Sequence, residues 1–146
     1  DLIESVFGHV LIPRGVAQKL AHSSAPEVLR RWMAHSPAWL EIRNVARAPE
    51  AELVRRLDHG EGEAIQLAVD LRADFILIDE RRGREMARAR GVTVIGTLGI
   101  LLESYRGGQI QKPMEVLSEL QANGFRVSRL LVAEFESQVT LIQPRH

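Results

Sequence analysis

The chain has 146 residues, of which 45% are hydrophobic and 26% are charged, so a single globular domain with a real core is expected. Its 19 basic and 19 acidic residues give a formal net charge of zero, so any binding of nucleic acid must come from a local basic patch. The absence of cysteine excludes disulfides, zinc–thiolate sites and cysteine nucleophiles. No apolar run approaches the roughly 20 residues that a membrane span requires, so a cytoplasmic location is the default expectation.

The first third of the chain alternates between short helices and strands. Gly8 is expected to end a helix at the start of the chain, and Pro13 to end a short strand. The S-x-x-E spacing that begins at Ser24 predicts a capped helix. An alternation of apolar and polar residues over 39–45 is typical of a half-exposed edge strand. The predicted elements are a helix over 1–7, a strand over 10–12, helices over 16–20 and 24–33, a strand over 39–45 and a helix over 49–57.

Residues 57–79 are the part of the sequence that indicates a chemical function most clearly. They are predicted to form a loop, a helix, a tight turn and a strand, and an acid follows the strand. Four residues at i, i+3, i+4 and i+7 predict one apolar stripe on the helix: Ala64, Leu67, Ala68 and Leu71. The continuous apolar run over 75–78 predicts a strand that is buried on both faces of a parallel sheet. The acids therefore stand where the apolar pattern stops.

Four carboxylates frame this helix and strand. Glu61 and Glu63 open the helix, and Asp79 and Glu80 follow the strand. In an antiparallel helix–strand hairpin, the start of the helix and the end of the strand lie at the same edge of the sheet, where ligands bind in α/β folds. Clustered carboxylates repel one another, so they persist best around a cation such as magnesium. The structural alternative is that acids at a helix N-terminus complement its dipole.

A second strand and several helices complete the chain. The arginine-rich helix over 81–90 ends at Gly91, and the strand over 92–95 is then only one helix away from the previous strand. This repeat implies a parallel sheet with a right-handed crossover. The turn over 96–99 contains Thr97, whose hydroxyl is a candidate donor to the same cleft. The remaining predicted segments are a helix that ends at 107–108, helices over 113–123 and 128–138, and a loose tail over 140–146.

The arginines beside Asp79 are candidate ligands for a nucleic-acid backbone. Arg81, Arg82 and Arg84 lie in the first turn of their helix, next to the expected metal site. The structural alternative is a solvated helix face whose arginines pair with Glu80 and with Glu85.

The quoted segments closely resemble the PIN-like branch of uncharacterised prokaryotic proteins. The resemblance lies in the blocks Gly60–Ile65, Leu77–Arg82 and Val94–Gly99, and in an Ile-Pro-x-x-Val element that begins at Ile12. It covers nearly the whole chain. It implies an α/β fold, a Rossmann-like three-layer sandwich with a parallel sheet, to which a C-terminal helical pair is added. It also implies a ribonuclease that depends on Mg²⁺ or Mn²⁺, often the toxin of a toxin–antitoxin pair and often a dimer.

The resemblance also assigns acids to positions of this sequence. The family's third acid falls on Glu63, with Glu61 beside it, and its fourth falls on Asp79. The first acid belongs to a central N-terminal strand that is expected to be missing from the sequence. The second falls where this chain has Gln18 and Lys19, and a lysine there opposes cation binding unless it points away.

These observations give one leading hypothesis and two alternatives. The first is a metal-dependent endoribonuclease with Glu63, Asp79 and Glu61 as catalytic and metal-binding residues, and with Glu80 as a further ligand. RNA, an antitoxin protein and a second copy of the chain are its expected partners. The second is a catalytically degenerate module that binds RNA or a protein partner, and the third is a protein that dimerises through its C-terminal helices. The expected organisation is a single domain over 1–146, with an α/β core over 1–110, a helical appendage over 111–139 and the tail.

Overall fold

The computed structural model of the chain describes residues 2–145. The described chain divides into two compact units, one formed by residues 8–95 and the other by residues 2–7 together with 96–145. The elements, in chain order, are α1 (Leu2–Phe7), β1 (Val10–Pro13), α2 (Arg14–Ala21), α3 (Glu27–Ala34), β2 (Leu40–Arg43), α4 (Ala51–Arg56), α5 (His59–Leu71), β3 (Ile76–Leu77), α6 (Arg81–Ala89), β4 (Val94–Ile95), α7 (Thr97–Arg106), α8 (Pro113–Ala122) and α9 (Arg129–Leu141). The organisation as one domain stays a prediction.

The α/β class is confirmed, because helices alternate with strands that pair in parallel. β1 pairs with β2, with Val10 opposite Leu40 and Pro13 opposite Arg43. β3 pairs with β4 through Ile76 opposite Val94 and Leu77 opposite Ile95. Within residues 2–145 these strands form two separate two-stranded sheets and not one continuous sheet. The missing central strand stays a prediction.

The core of the 8–95 unit lies around α5. Leu53 and Ile65 are fully buried and pack with Met86 and with residues of β3 and β4. The predicted stripe on α5 was wrong in one position, because Leu71 is 41% exposed while Ile65 is at the centre of the core. Periodicity gives the width of an apolar face, whereas packing against neighbouring helices decides which residues fill its middle.

The strand after α5 also differs from its prediction. Ile76 and Ile78 are buried, but Phe75 is 51% exposed and Leu77 is 52% exposed. Successive side chains of a strand point to opposite faces, so only one face of β3 is covered by the core. The prediction of a strand buried on both faces was therefore wrong, although its position and its parallel pairing were right.

Several local predictions are confirmed. Gly8 directly follows α1, and Gly91 follows the C-cap residue of α6, so each stands at the end of the helix that it was expected to end. Their φ values are positive, at 70° and 76°. The side chain of Ser128 accepts a hydrogen bond from the backbone N–H of Leu131 and caps α9. The capping box predicted at Ser24 was wrong, because the N-cap residue of α3 is Pro26 and no side chain caps this helix.

The second unit has its own apolar core. Leu101 of α7, Leu117 of α8 and Phe135 of α9 are each at most 3% exposed and pack together. α9 ends at Leu141, so its last two residues lie in the stretch that was predicted as a tail. His146, the end of that stretch, lies outside the described residues. Among the described helices, none is both long enough and apolar enough to cross a membrane.

We predict that Leu53→Ala lowers the free energy of unfolding of the 8–95 unit by about 3 kcal/mol, because it removes buried methyl groups and leaves a cavity against α5. Val54→Ala, at the adjacent residue that is 57% exposed, should cost less than about 1 kcal/mol. Urea unfolding followed by tryptophan fluorescence measures both variants, since the two tryptophans, Trp32 and Trp39, lie in this unit. Equal losses would contradict the assignment of Leu53 to the core.

Candidate metal centre

The first turn of α5 is fixed by its N-cap residue. Asp58 has extended backbone angles, and its side chain accepts a hydrogen bond of 2.8 Å from the backbone N–H of Glu61. Aspartate is favoured at this position because its carboxylate satisfies a backbone donor and complements the helix dipole. The cap was not singled out from the sequence, although the spacing of Asp58 to Glu61 is that of a capping box. It holds two acids, Asp58 and Glu61, in one helical turn.

Glu61 extends from this turn towards α6. A Cβ atom added to Gly83 of α6 would lie 3.5 Å from the Oε2 atom of Glu61, so the carboxylate lies directly beside that glycine. Glu80, the N-cap residue of α6, is close enough to Glu61 for its carboxyl group to raise the pKa of Glu61. The structure therefore brings together two of the predicted acids, which are separated by 19 positions in sequence.

Burial raises the pKa of Glu61 above its ordinary value, and the negative charges of Asp58 and Glu80 raise it further. Lys19 of α2 acts in the opposite direction. Its ammonium group lies 3.5 Å from a carboxylate oxygen of Asp58, and its side chain is 72% exposed. The site thus contains more negative charge than its single lysine offsets.

Glu63 has a different set of neighbours. Its Oε2 atom accepts a hydrogen bond of 3.1 Å from the backbone N–H of Gly15, and its Oε1 atom lies 2.8 Å from the Nε2 atom of His59. Its side chain is only 16% exposed. A Cβ atom at residue 15 would lie 2.5 Å from Oε2, so the glycine permits this contact between α2 and α5. Neither Gly15 nor His59 was expected from the sequence, because no local pattern signals a contact over 48 residues.

Positions i and i+2 of a helix do not face each other, so Glu61 and Glu63 serve different sides of α5. Asp79 follows the buried Ile78 at the end of β3, is exposed and makes interactions of its own. Within residues 2–145, no group of three or more histidine, aspartate or glutamate side chains is arranged to hold a metal ion. The assignment of all four acids to one metal ion stays a prediction.

The pair of Glu61 and Glu80 does fit a divalent cation in one respect. Magnesium is usually held by one or two carboxylates, with water and substrate phosphates as its other ligands. Two neighbouring carboxyl groups, one of which has its pKa raised by the other, form a donor set that a bound cation would stabilise. Among the described residues, this pair is therefore a candidate ligand set for Mg²⁺ or Mn²⁺.

The predicted nucleic-acid ligands have separate environments. The side chain of Arg81 is 92% exposed and pairs with Glu85 at 3.0 Å, as the structural alternative expected. Arg82 donates a hydrogen bond of 3.4 Å from Nη1 to the backbone carbonyl of Arg56. The Nε atom of Arg84 is buried and has no hydrogen-bond partner among the described residues. Thr97 begins α7 in the other unit and makes interactions of its own.

Comparison with known families gives one match. A family model described as a PIN domain matches residues 1–140, which is nearly the whole chain. No curated protein and no solved structure is similar enough to the chain to count as a match.

The raised pKa of Glu61 predicts a pH dependence of stability. Above the ordinary value of 4.5, the folded chain retains the proton of Glu61 in a pH range where the unfolded chain has lost it. The contribution of Glu61 to the free energy of unfolding therefore falls as pH rises through this range, and the loss is complete above the folded-state pKa.

Glu61→Gln removes this titration. In the absence of divalent ions, we expect the variant to gain stability relative to the unsubstituted chain as pH rises from about 4.5 towards neutrality. Chemical unfolding at a series of pH values measures the difference. Identical pH profiles for the two proteins would contradict the crowded environment assigned to Glu61.

Proposed function

The chain belongs to the PIN domain family, and on this premise we propose that it is a divalent-metal-dependent endoribonuclease. Proteins of this family are generally nucleases and typically use divalent metals. The observation that carries the proposal is the proximity of Glu61 and Glu80, two acids from distant parts of the sequence, of which Glu61 is partly buried and Glu80 is exposed. Each acid also stands at the N-terminus of its own helix, where the helix dipole favours it, but that role does not require the two carboxyl groups to lie close together.

In the proposed mechanism, Glu61 and Glu80 would hold the divalent ion. Asp79, which does not form a ligand group of three with them in this structure, is the further proposed ligand. The ion, when bound, supplies charge stabilisation at the phosphodiester oxygens and lowers the pKa of water. Asp58 holds Glu61 in place through the N-cap hydrogen bond. Glu63 is the further acid of the proposed catalytic set, and Gly15 and His59 fix the position of its carboxylate.

The basic residues of α6 supply the proposed contacts with RNA. Arg82 lies two residues after Glu80 in the sequence, and its guanidinium group is a proposed ligand for an RNA phosphate. Arg81 and Arg84 are further proposed contacts with RNA, and Thr97 is a proposed hydroxyl donor to RNA. Because the net charge of the chain is zero, this local basic surface must supply the attraction for the phosphate backbone.

The biological setting belongs to the same proposal. We infer a cytoplasmic toxin of a toxin–antitoxin pair, which acts as a homodimer and is neutralised by an antitoxin protein. The support for this setting is the resemblance to a branch of the family in which such toxins are common.

Cleavage of RNA tests the enzymatic proposal. The full chain should cleave single-stranded RNA with Mg²⁺ or Mn²⁺ and lose this activity in EDTA. Asp79→Asn and Glu61→Gln should each lower the rate by about 100-fold or more, because each removes a ligand charge. Asp74→Asn, which changes an exposed acid before β3 and away from Asp79, is the matched control and should retain full activity. Cleavage that persists in both site variants would exclude the proposed metal role.

A second candidate function is supported by Lys19. Its ammonium group lies beside Asp58 and lowers the pKa of Glu61. Its positive charge therefore weakens the negative potential that would attract a metal ion. In this alternative, the chain is a catalytically degenerate module that keeps the fold and binds RNA or a protein partner without cleavage. Calorimetric titration separates the two functions, because a degenerate site takes up no Mg²⁺ at millimolar concentration.

We predict that Lys19→Gln tightens Mg²⁺ binding by about three- to tenfold, because it removes a positive charge close to the acids. Lys112→Gln is the matched control. It changes the only other lysine of the chain, which pairs with Glu115 in the other unit, and it should leave Mg²⁺ affinity unchanged. Titration calorimetry measures both variants. Equal affinity in the Lys19 variant and the unsubstituted chain would contradict the proximity of Lys19 to the metal site.

A further inference from the structure

A cavity of about 390 Å³ lies between α4 and α6. Arg56, Arg82 and Arg90 contribute its positive charge, Glu52 and Glu85 contribute negative charge, and the buried side chain of Met86 lines it as well. Its size falls in the range of pockets that take small organic ligands. Of its lining residues, the proposed function uses only Arg82.

The acids of the cavity already have partners. The guanidinium group of Arg90 lies 2.8 Å from Glu50 and 3.4 Å from Glu52, and it also donates to the backbone carbonyl of Met86 at 3.1 Å. Its side chain is only 15% exposed, so it is a fixed part of the wall. Glu85 pairs with Arg81 at 3.0 Å. These ion pairs reduce the negative potential that a ligand would meet.

Arg56 and Arg82, by contrast, are held weakly. The Nη1 atom of Arg56 lies 3.7 Å from Glu52, and its side chain is 62% exposed. The hydrogen bond from Arg82 to the carbonyl of Arg56 is 3.4 Å long. Both contacts exceed the usual length of a charged hydrogen bond, which is about 2.7–2.9 Å. Two guanidinium groups at one cavity can therefore turn towards an incoming anion at little cost.

The two arginines are close in sequence to the acids of the candidate site. Arg56 ends α4 two residues before Asp58, and Arg82 comes two residues after Glu80. Each of these two chain segments therefore carries an acid and, two residues away, an arginine of the cavity.

We propose that this cavity is a subsite for one nucleotide of single-stranded RNA, with its backbone phosphate bound by Arg56 and Arg82. The subsite rests on the proposed ribonuclease function and names a residue, Arg56, that this function does not otherwise require. Guanidinium groups bind phosphate through paired hydrogen bonds, which favours a phosphate ligand. The apolar surface of Met86 gives the sugar or base a place to pack, which an acidic side chain of a protein would not need.

The test measures binding separately from cleavage. Affinity for a short oligouridylate is measured in EDTA, at several salt concentrations, for Arg56→Gln, Arg82→Gln and the double variant. Arg55→Gln and Arg88→Gln are the matched controls, because they remove the same charge from the same two helices away from the cavity. Circular dichroism and thermal unfolding establish that each variant is folded.

Each cavity variant should lower RNA affinity about fivefold and reduce the slope of log affinity against log salt concentration by about one. Each control should change affinity less than twofold. If the cavity variants lose no more affinity than the controls while the chain cleaves RNA, the subsite is wrong and the proposed function stands. If they lose affinity as expected but no cleavage is found with any metal ion, the subsite stands and the enzymatic proposal fails. Binding of polyglutamate that depends equally on Arg56 and Arg82 would overturn the choice of RNA.

Discussion

The arrangement of the candidate site depends on the close packing of the first turn of α5 against its neighbouring helices. A Cβ atom at Gly60 would lie 3.1 Å from Val16 of α2, and one at Gly62 would lie 3.6 Å from the backbone of Leu53 in α4. On the α6 side, Gly83 leaves the space beside Glu61. Small residues at these contacts let the backbones approach, and the approach of α6 brings its N-cap acid to the carboxylate of Glu61.

This packing places negatively charged carboxylates close together, and a bound cation would remove their repulsion. Glu61 is partly buried beside Asp58 and Glu80, and only Lys19 offsets their charge there. Desolvated carboxylates that repel one another reduce stability, and protein sites of this kind are often functional. A divalent cation would convert the repulsion into attraction. The loosely held arginine pair at the neighbouring cavity gives RNA phosphates a place to bind next to that cation.

Local patterns in the sequence predicted local structure well. The helix α5, the strand after it, its parallel partner and the glycine at the end of α6 were all recognisable, because each depends on residues within one or two turns. Contacts between distant segments were not predictable in the same way. Helix packing determines the hydrogen bond from Gly15 to Glu63, and it also determines that Ile65 is buried in place of Leu71. The periodicity of a single segment does not contain this information. The resemblance to the PIN family supplied the candidate acids, and the structure divides their surroundings between two sides of α5.

A double-mutant cycle on Glu61 and Glu80 tests the central claim most directly, since it measures the free energy of their interaction. Free energies of unfolding are determined for Glu61→Gln, Glu80→Gln and the double variant at neutral pH in EDTA. The account predicts that the double variant gains less stability than the sum of the single variants, with a coupling energy of about 0.5 kcal/mol or more. It further predicts that saturating Mg²⁺ reverses the sign of this coupling. Additive effects under both conditions would contradict the account, because the two acids would then neither repel each other nor share a cation.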